Sequence, residues 1–181
     1  EFIMEEIKVT LPDGSKLEFE AGVTIKDVAF DIGPRLGKAS VAGKIDGEKV
    51  DLDYEITNDV DLEIITIDSE EGLDIYRHTV SHVMAQAIKR LYDDVQLAIG
   101  PTIEDGFYYD FDLDEKLSEN DFEEIEAEMK EIIKADYKVE RMVVPKEEAI
   151  AKMKERNEEY KIELIEELDG EEISLYKQGE F

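Results

Sequence analysis

The sequence predicts an α+β protein made of two successive small domains, residues 4–67 and 74–181, joined by a short polar linker. Three observations predict this. Apolar residues alternate with polar ones in short runs separated by turn dipeptides over the first sixty-odd positions. The stretch Asp68-Ser69-Glu70-Glu71-Gly72 then breaks all periodicity and reads as the linker. Beyond it, runs of helical period mix with strands and hairpins.

In the first domain Ile7, Val9 and Leu11 alternate with polar residues. Pro12-Asp13-Gly14-Ser15 turns the chain, and Leu17 and Phe19 alternate again, which predicts a β-hairpin. Thr24 is placed to cap a short helix, with Asp27 at its third position as a variant capping box. Ile25, Val28 and Ala29 fall on its inward face, and Ile32-Gly33-Pro34 ends it. Val41 to Ile45, Asp46-Gly47 and Val50 to Leu52 predict a second hairpin. Val60 to Ile67 closes the domain as a strand. The order ββαβββ resembles the ubiquitin-like β-grasp.

A long helix should begin near Asp74. Val80, Val83, Met84, Ala87, Ile88 and Leu91 recur at helical steps and form an apolar stripe. At roughly 100° per residue, His78 and His82 fall nearly opposite that stripe and share their face with Ala85 and Lys89. They are the only histidines in the chain. Next comes QLAIGPTIEDGFYYDFD, in which Gly100-Pro101 breaks or bends the first run and Asp105-Gly106 signals a hairpin. Phe107, Tyr109 and Phe111 form an aromatic face, set against Tyr108, Asp110 and Asp112.

Ser118, with Asp121 in the first turn, caps a second helix whose buried face is Phe122, Ile125, Met129, Ile132 and Ile133. Tyr137 to Val144 alternates as a strand. Pro145 starts a third helix with Ala149, Ile150 and Met153 inward. Asn157 to Glu166 continues as another helix with Tyr160, Ile162, Leu164 and Ile165 apolar. Asp169-Gly170 turns into a last strand, Ile173 to Tyr176.

His-x-x-x-His on a helix, followed by A-I-G-P-x-I-E-D-G-F-Y-Y-D, resembles the editing domain of bacterial threonyl-tRNA synthetases. The β-grasp in front of it resembles the TGS module of the same enzymes. The resemblance implies an α+β fold of the threonyl/alanyl-tRNA synthetase editing type for residues 74–181. It implies a domain that hydrolyses serine mischarged onto tRNA(Thr), with the tRNA 3′ end as partner. His78 and His82 match the family's histidine pair. Lys161, in ERNEEYKIEL, matches a lysine that acts near the ester, and Tyr108, in GFYYD, stands where the family lines its pocket. The family completes that pocket with Asp-x-Cys-x-x-x-His after a strand like the one ending at Phe181. The chain has no cysteine and stops before such a motif. It is therefore expected to be an expressed amino-terminal fragment of an ATP-dependent ligase, inactive by itself. Zinc, ATP and magnesium are implied for the absent catalytic core, and none for these residues. The parent is expected to dimerise through that core, and the fragment to be a monomer.

The residues alone leave the histidine pair open. It is half of a metal site, a device that positions or activates water, or two surface rings beside a groove. No Glu follows His78, so the His-Glu-x-x-His metalloprotease motif is absent. Two imidazoles are too few ligands for a closed metal site, so no tightly held metal is expected. Two rivals also stand: a non-enzymatic TGS-containing binding module, and a freestanding deacylase for another aminoacyl-tRNA. The first does not account for the string from His78 to Asp110, and the β-grasp argues against the second.

Composition sets the outer bounds. The chain has 181 residues, a formal net charge of −28, and 39% charged residues interleaved with the apolar pattern. This describes solvated faces of folded elements, with no basic stripe to draw in free nucleic acid. Without cysteine there are no disulfides, thiolate metal sites or cysteine nucleophiles. No signal peptide or membrane-length apolar run is visible, so a cytoplasmic location without membrane contact is the expectation. Abundant Glu and Lys with no Cys or Trp is compatible with a heat-loving source. Glu1-Phe2-Ile3, ahead of Met4, are read as a cloning remnant before a native start.

Overall fold

The computed structural model describes residues 5–181. The remnant assigned to Glu1-Phe2-Ile3 and the start at Met4 lie outside the described residues. Two compact units are present, one ending at Tyr76 and the other running from Arg77 to Phe181.

The first unit contains β1 (Glu6–Thr10), β2 (Lys16–Glu20), β3 (Val23–Thr24), α1 (Ile25–Ile32), α2 (Pro34–Ala39), β4 (Ser40–Ile45), β5 (Glu48–Val50), β6 (Glu55–Ile56) and β7 (Val60–Thr66). Five strands form one mixed sheet in the order β2-β1-β7-β4-β5, and β3 pairs separately with β6. The expected first hairpin is present, with Ile7 opposite Phe19 and Val9 opposite Leu17. β7 returns parallel to β1, a pairing that requires a crossover. α1 supplies part of that crossover. This is the β-grasp arrangement, with Ile7, Val9, Ile25, Val28, Ile56 and Leu62 as its buried core. Each such side chain contributes about 1.5–3 kcal/mol of transfer free energy.

Local chemistry explains the elements. The Thr24 hydroxyl accepts from the Asp27 backbone N–H, and the Asp27 carboxylate accepts from the backbone N–H of Thr24. The second hairpin turns at Asp46 and Gly47, both at positive φ, 50° and 89°, as a two-residue primed turn requires. α2 was not foreseen. Pro34 ends α1 but also sits at the first position of a new helix, where its missing N–H costs nothing.

Glu70, Glu71 and Gly72, read as part of a linker, are instead the first residues of a helix, with Asp68 and Ser69 ahead of it. α3 (Glu70–Leu91) begins earlier than Asp74. The Ser69 hydroxyl donates to the Thr66 carbonyl and accepts from the Gly72 N–H, which satisfies an open donor of the first turn. Glu71 is ion-paired to Lys44 and, at 3.3 Å, to Lys49.

The second unit continues with β8 (Gln96–Leu97), β9 (Thr102–Ile103), β10 (Gly106–Phe107), β11 (Phe111–Asp112), a 3-10 turn (Glu119–Asp121), α4 (Phe122–Ala135), β12 (Val139–Pro145), α5 (Lys146–Glu155), α6 (Glu159–Glu167) and β13 (Glu172–Gln178). β8 pairs with β11, β9 with β10, and β12 with β13, all antiparallel. The hairpin turns at Glu104-Asp105 and not at Asp105-Gly106, because Gly106 is already paired with Ile103. Its aromatic face is present: Tyr109 and Phe111 stack at 4.9 Å while Tyr108, Asp110 and Asp112 are exposed.

Two expected faces are corrected. On α4, Ile125 and Ile132 are buried, but Phe122 and Ile133 are exposed, at 53% and 63%. The wall of Ala85, Ile88, Val95 and Leu97 covers a narrower arc of the helix than its apolar residues span. On α3, burial is not confined to one stripe. Ser81, Val83, Ala85, Gln86, Ala87 and Ile88 are all buried, so the helix is enclosed on most sides there. Ala85, which shares the histidine face, belongs to the core with Ile88, Val95, Leu97 and Ile125. A smaller core of Ala149, Ile165 and Ile173 joins α5, α6 and the β12–β13 ribbon.

Candidate functional site

α3 carries His78 and His82 one turn apart, and their Nε2 atoms lie 3.1 Å from each other. The ring centroids are 4.5 Å apart in an edge-on arrangement. One nitrogen must therefore donate to the other, which fixes opposite roles for the two rings. The buried Ser81 hydroxyl donates to the His78 carbonyl at 2.7 Å and ties down the backbone between them. His78 is exposed. His82 is half-buried and meets the edge of Phe181, centroid to centroid 6.1 Å.

Phe181 is held by a tight turn, in which the Gln178 N–H donates to the Phe181 carbonyl at 2.7 Å and the Phe181 N–H to the Gln178 carbonyl at 3.0 Å. Its ring also receives Lys161, from α6, with Nζ 5.0 Å from the centroid, a cation–π contact. The Gln178 side chain donates to Oε1 of the buried Gln86, linking this turn to α3. His82 and Lys161 thus meet at Phe181, with His78 against His82. Tyr108 stands apart: it is 49% exposed, and its side chain makes no hydrogen bond or ring contact among the described residues.

Burial pushes the His82 imidazole down to about 4, and the neighbouring His78 and Lys161 add to the effect. It is neutral at pH 7. Burial also lowers the Lys161 ammonium, with Arg156 and Lys89 acting in the same direction and Glu158 against them. The Tyr109 hydroxyl is pushed up to about 12, by burial first and then by Glu158.

Behind Lys161 lies a feature that sequence reasoning missed. Glu158 is 1% exposed and ion-paired to Lys89 at 2.8 Å. Lys89 also donates to the Val95 carbonyl at 2.9 Å. One acid among 49 carries no signal of burial, and nothing in the local pattern marks Glu158 out. Phe181 was equally silent. A shallow hollow beside α6, lined by Ala98, Ile99, Tyr160, Glu163, Leu164 and Glu167, includes neither histidine. Among the described residues, no group of three or more His, Cys, Asp and Glu is placed to hold a metal.

Comparison with known proteins bears on this geometry. Residues 7–66 match the TGS domain family. Over 176 residues the chain is 57% identical to the threonine–tRNA ligase of Acetivibrio thermocellus, covering 97% of this chain and 28% of that protein. The chain matches the amino-terminal region of threonine–tRNA ligases. The enzyme of Caldanaerobacter subterraneus subsp. tengcongensis is 56% identical over 174 residues, 96% of this chain and 27% of the relative. That of Clostridium botulinum is 56% identical over 176 residues, 97% and 28%. The chain spans between a quarter and a third of the length of these threonine–tRNA ligases. The expected TGS domain and the resemblance to threonyl-tRNA synthetases are both borne out. No helix among the described residues is long and apolar enough to cross a membrane.

Proposed function

We propose that residues 74–181 form the proofreading part of a threonine–tRNA ligase, hydrolysing serine esterified to tRNA(Thr), with residues 4–67 as its TGS domain. The observation that carries this reading is the pair of imidazoles in mutual contact beside a half-buried lysine. A missing methyl group is worth only about 1–3 kcal/mol in a binding pocket. Serine therefore enters a threonine site, and a second, hydrolytic site removes the error.

In that reaction a water oxygen adds to the ester carbonyl carbon, and the bond to the ribose oxygen then breaks. The water's proton passes to a neutral imidazole, and the ribose oxygen recovers a proton as it leaves. His82 stays neutral at physiological pH and can accept a hydrogen bond from the water. Its low basicity suits orienting the water better than removing its proton, which leaves His78 to take the proton. Lys161 brings a cation to the tetrahedral oxyanion; Tyr108, exposed and apart from this cluster, is assigned at most a contact with the outer part of the substrate.

The ligase reaction, with its ATP, magnesium and zinc, belongs in this reading to the longer protein, as do homodimer formation and most of the affinity for tRNA. The described residues supply no donor set for the metal. The 181 residues alone are assigned no ligase activity and little hydrolysis, since they contain no counterpart of the family's Asp-x-Cys-x-x-x-His. Alone they are assigned a monomeric state, and the protein a cytoplasmic location.

The test is hydrolysis of seryl-tRNA(Thr) by a longer protein carrying this sequence. His78→Ala and His82→Ala should each lower the rate by about 10²–10⁴-fold. Full-rate hydrolysis with both rings gone would refute the proposal.

A further inference from the structure

Glu158 is the most deeply buried acid of the second unit and, among the described residues there, the one charged side chain with a buried polar atom that has no hydrogen-bond partner. One carboxylate oxygen meets Lys89 at 2.8 Å; the other, Oε2, is buried without a hydrogen-bond partner. A buried charge is costly unless it is compensated, so a half-compensated carboxylate at the start of the helix that carries Lys161 needs a reason. Glu158 is the N-cap of α6 and Lys161 the third residue of that helix, the two positions whose side chains meet across a helix start.

We propose that Glu158 is a positioning residue of the proofreading site: a buried carboxylate, anchored by Lys89, that keeps the Lys161 ammonium charged and seated against Phe181 beside His82. The inference rests on the hydrolytic reading for its role in the reaction, but not for the ionic arrangement itself.

The charged and titratable groups around Lys161 are Glu158, Arg156, Lys89 and His82. Glu158 alone among them favours the ammonium. Lys89 competes for the same carboxylate and also repels Lys161 directly. Removing the acid therefore leaves Lys161 facing the cations Arg156 and Lys89, a neutral His82, and burial. Removing Lys89 hands the whole carboxylate to Lys161. The two changes must move Lys161 in opposite directions, whereas a merely structural role for the Lys89–Glu158 pair would make both variants alike.

The 181-residue chain, with isotope-labelled lysine, allows the Lys161 side chain to be titrated by NMR. Glu158→Gln should shift its midpoint below the wild-type value, Lys89→Met should shift it above, and Glu158→Asp should restore part of the wild-type behaviour. Midpoints that stay put, or that move in the same direction, overturn the proposal. If Glu158→Gln does not fold, Lys89→Met decides alone: an upward shift supports the arrangement and any other result sinks it. In the longer protein Glu158→Gln should lower seryl-tRNA(Thr) hydrolysis by ~10²-fold, chiefly in kcat. Opposed lysine shifts together with hydrolysis that ignores His78, His82 and Lys161 would uphold the ionic arrangement and refute the proposed function instead.

Discussion

His82 is a histidine kept neutral by its surroundings, and that makes it a stability switch as well as a site residue. Its folded midpoint, about 4, lies below the ordinary value of 6.5. Between these two values the unfolded chain binds the proton and the folded chain does not, so stability rises with pH across the window. The contribution is intact above pH 6.5 and is lost as pH falls toward 4. A displacement of that size corresponds to about 3 kcal/mol for a fully shielded ring, and solvent at this half-buried one trims it to about 2 kcal/mol. His82→Gln should lack this part of the acid sensitivity. Urea unfolding at pH 7 and pH 4.5 reads the difference, and parallel losses in the two proteins would show that His82 is not held neutral. The spacing of His78 and His82 made their shared face legible from sequence. It could not reveal their 3.1 Å contact, because rotamers depend on what packs around them. Lys161 was legible only through the resemblance, and Glu158 not at all, because its partner Lys89 lies 69 residues away in sequence.

Single elements were most legible where the signal is local. The Thr24–Asp27 capping box depends on four consecutive residues, and it forms as its spacing predicts. Thr24→Ala should lower the stability of the first unit by about 1 kcal/mol, measured as a lower urea midpoint with unchanged slope. Reading failed where a distant contact overrides local preference. Gly72 argued for a linker because glycine weakens a helix by about 1 kcal/mol relative to alanine. Yet it sits inside α3, where a Cβ would run into the Thr66 carbonyl. The two effects of Gly72→Ala oppose each other. Helix propensity would gain about 1 kcal/mol, while displacing rigid backbone costs about 1–3 kcal/mol or more. Backbone cannot swing aside as a side chain can, so the steric cost wins and the variant should be destabilised. A stabilised Gly72→Ala protein would mean that α3 starts after this residue, as the composition suggested. The exposed Phe122 and Ile133 have the same origin: periodicity gives the width of an apolar face, and only the partner surface decides how much of it is covered.

At the scale of the whole molecule, charge decides. Lys and Arg number 21 against 49 Asp and Glu, a formal net charge of −28. Several of the cations are already engaged: Lys44 and Lys49 with Glu71, Lys89 with Glu158, and Arg90 with Glu128 and Glu180. The chain by itself should therefore not retain tRNA(Thr) in filter binding at physiological salt, and tight retention there would overturn the electrostatic argument. The same imbalance sets the response of stability to salt. Exposed ion pairs such as Lys134–Glu131 and Lys152–Glu148 contribute about 0–1 kcal/mol each, and screening weakens them. Screening also weakens the repulsion among the unpaired carboxylates, which acts over the whole surface and opposes the compact state. At about 0.01 M salt the Debye length is about 30 Å, so carboxylates far apart on one unit still repel; near 0.15 M it is about 8 Å, and only close neighbours do. With 28 more acids than bases, the repulsive sum exceeds the few attractive pairs. Adding sodium chloride over that range should raise Tm. A falling Tm in calorimetry would mean that the ion pairs around Glu71, Glu158 and Arg90 outweigh the net charge.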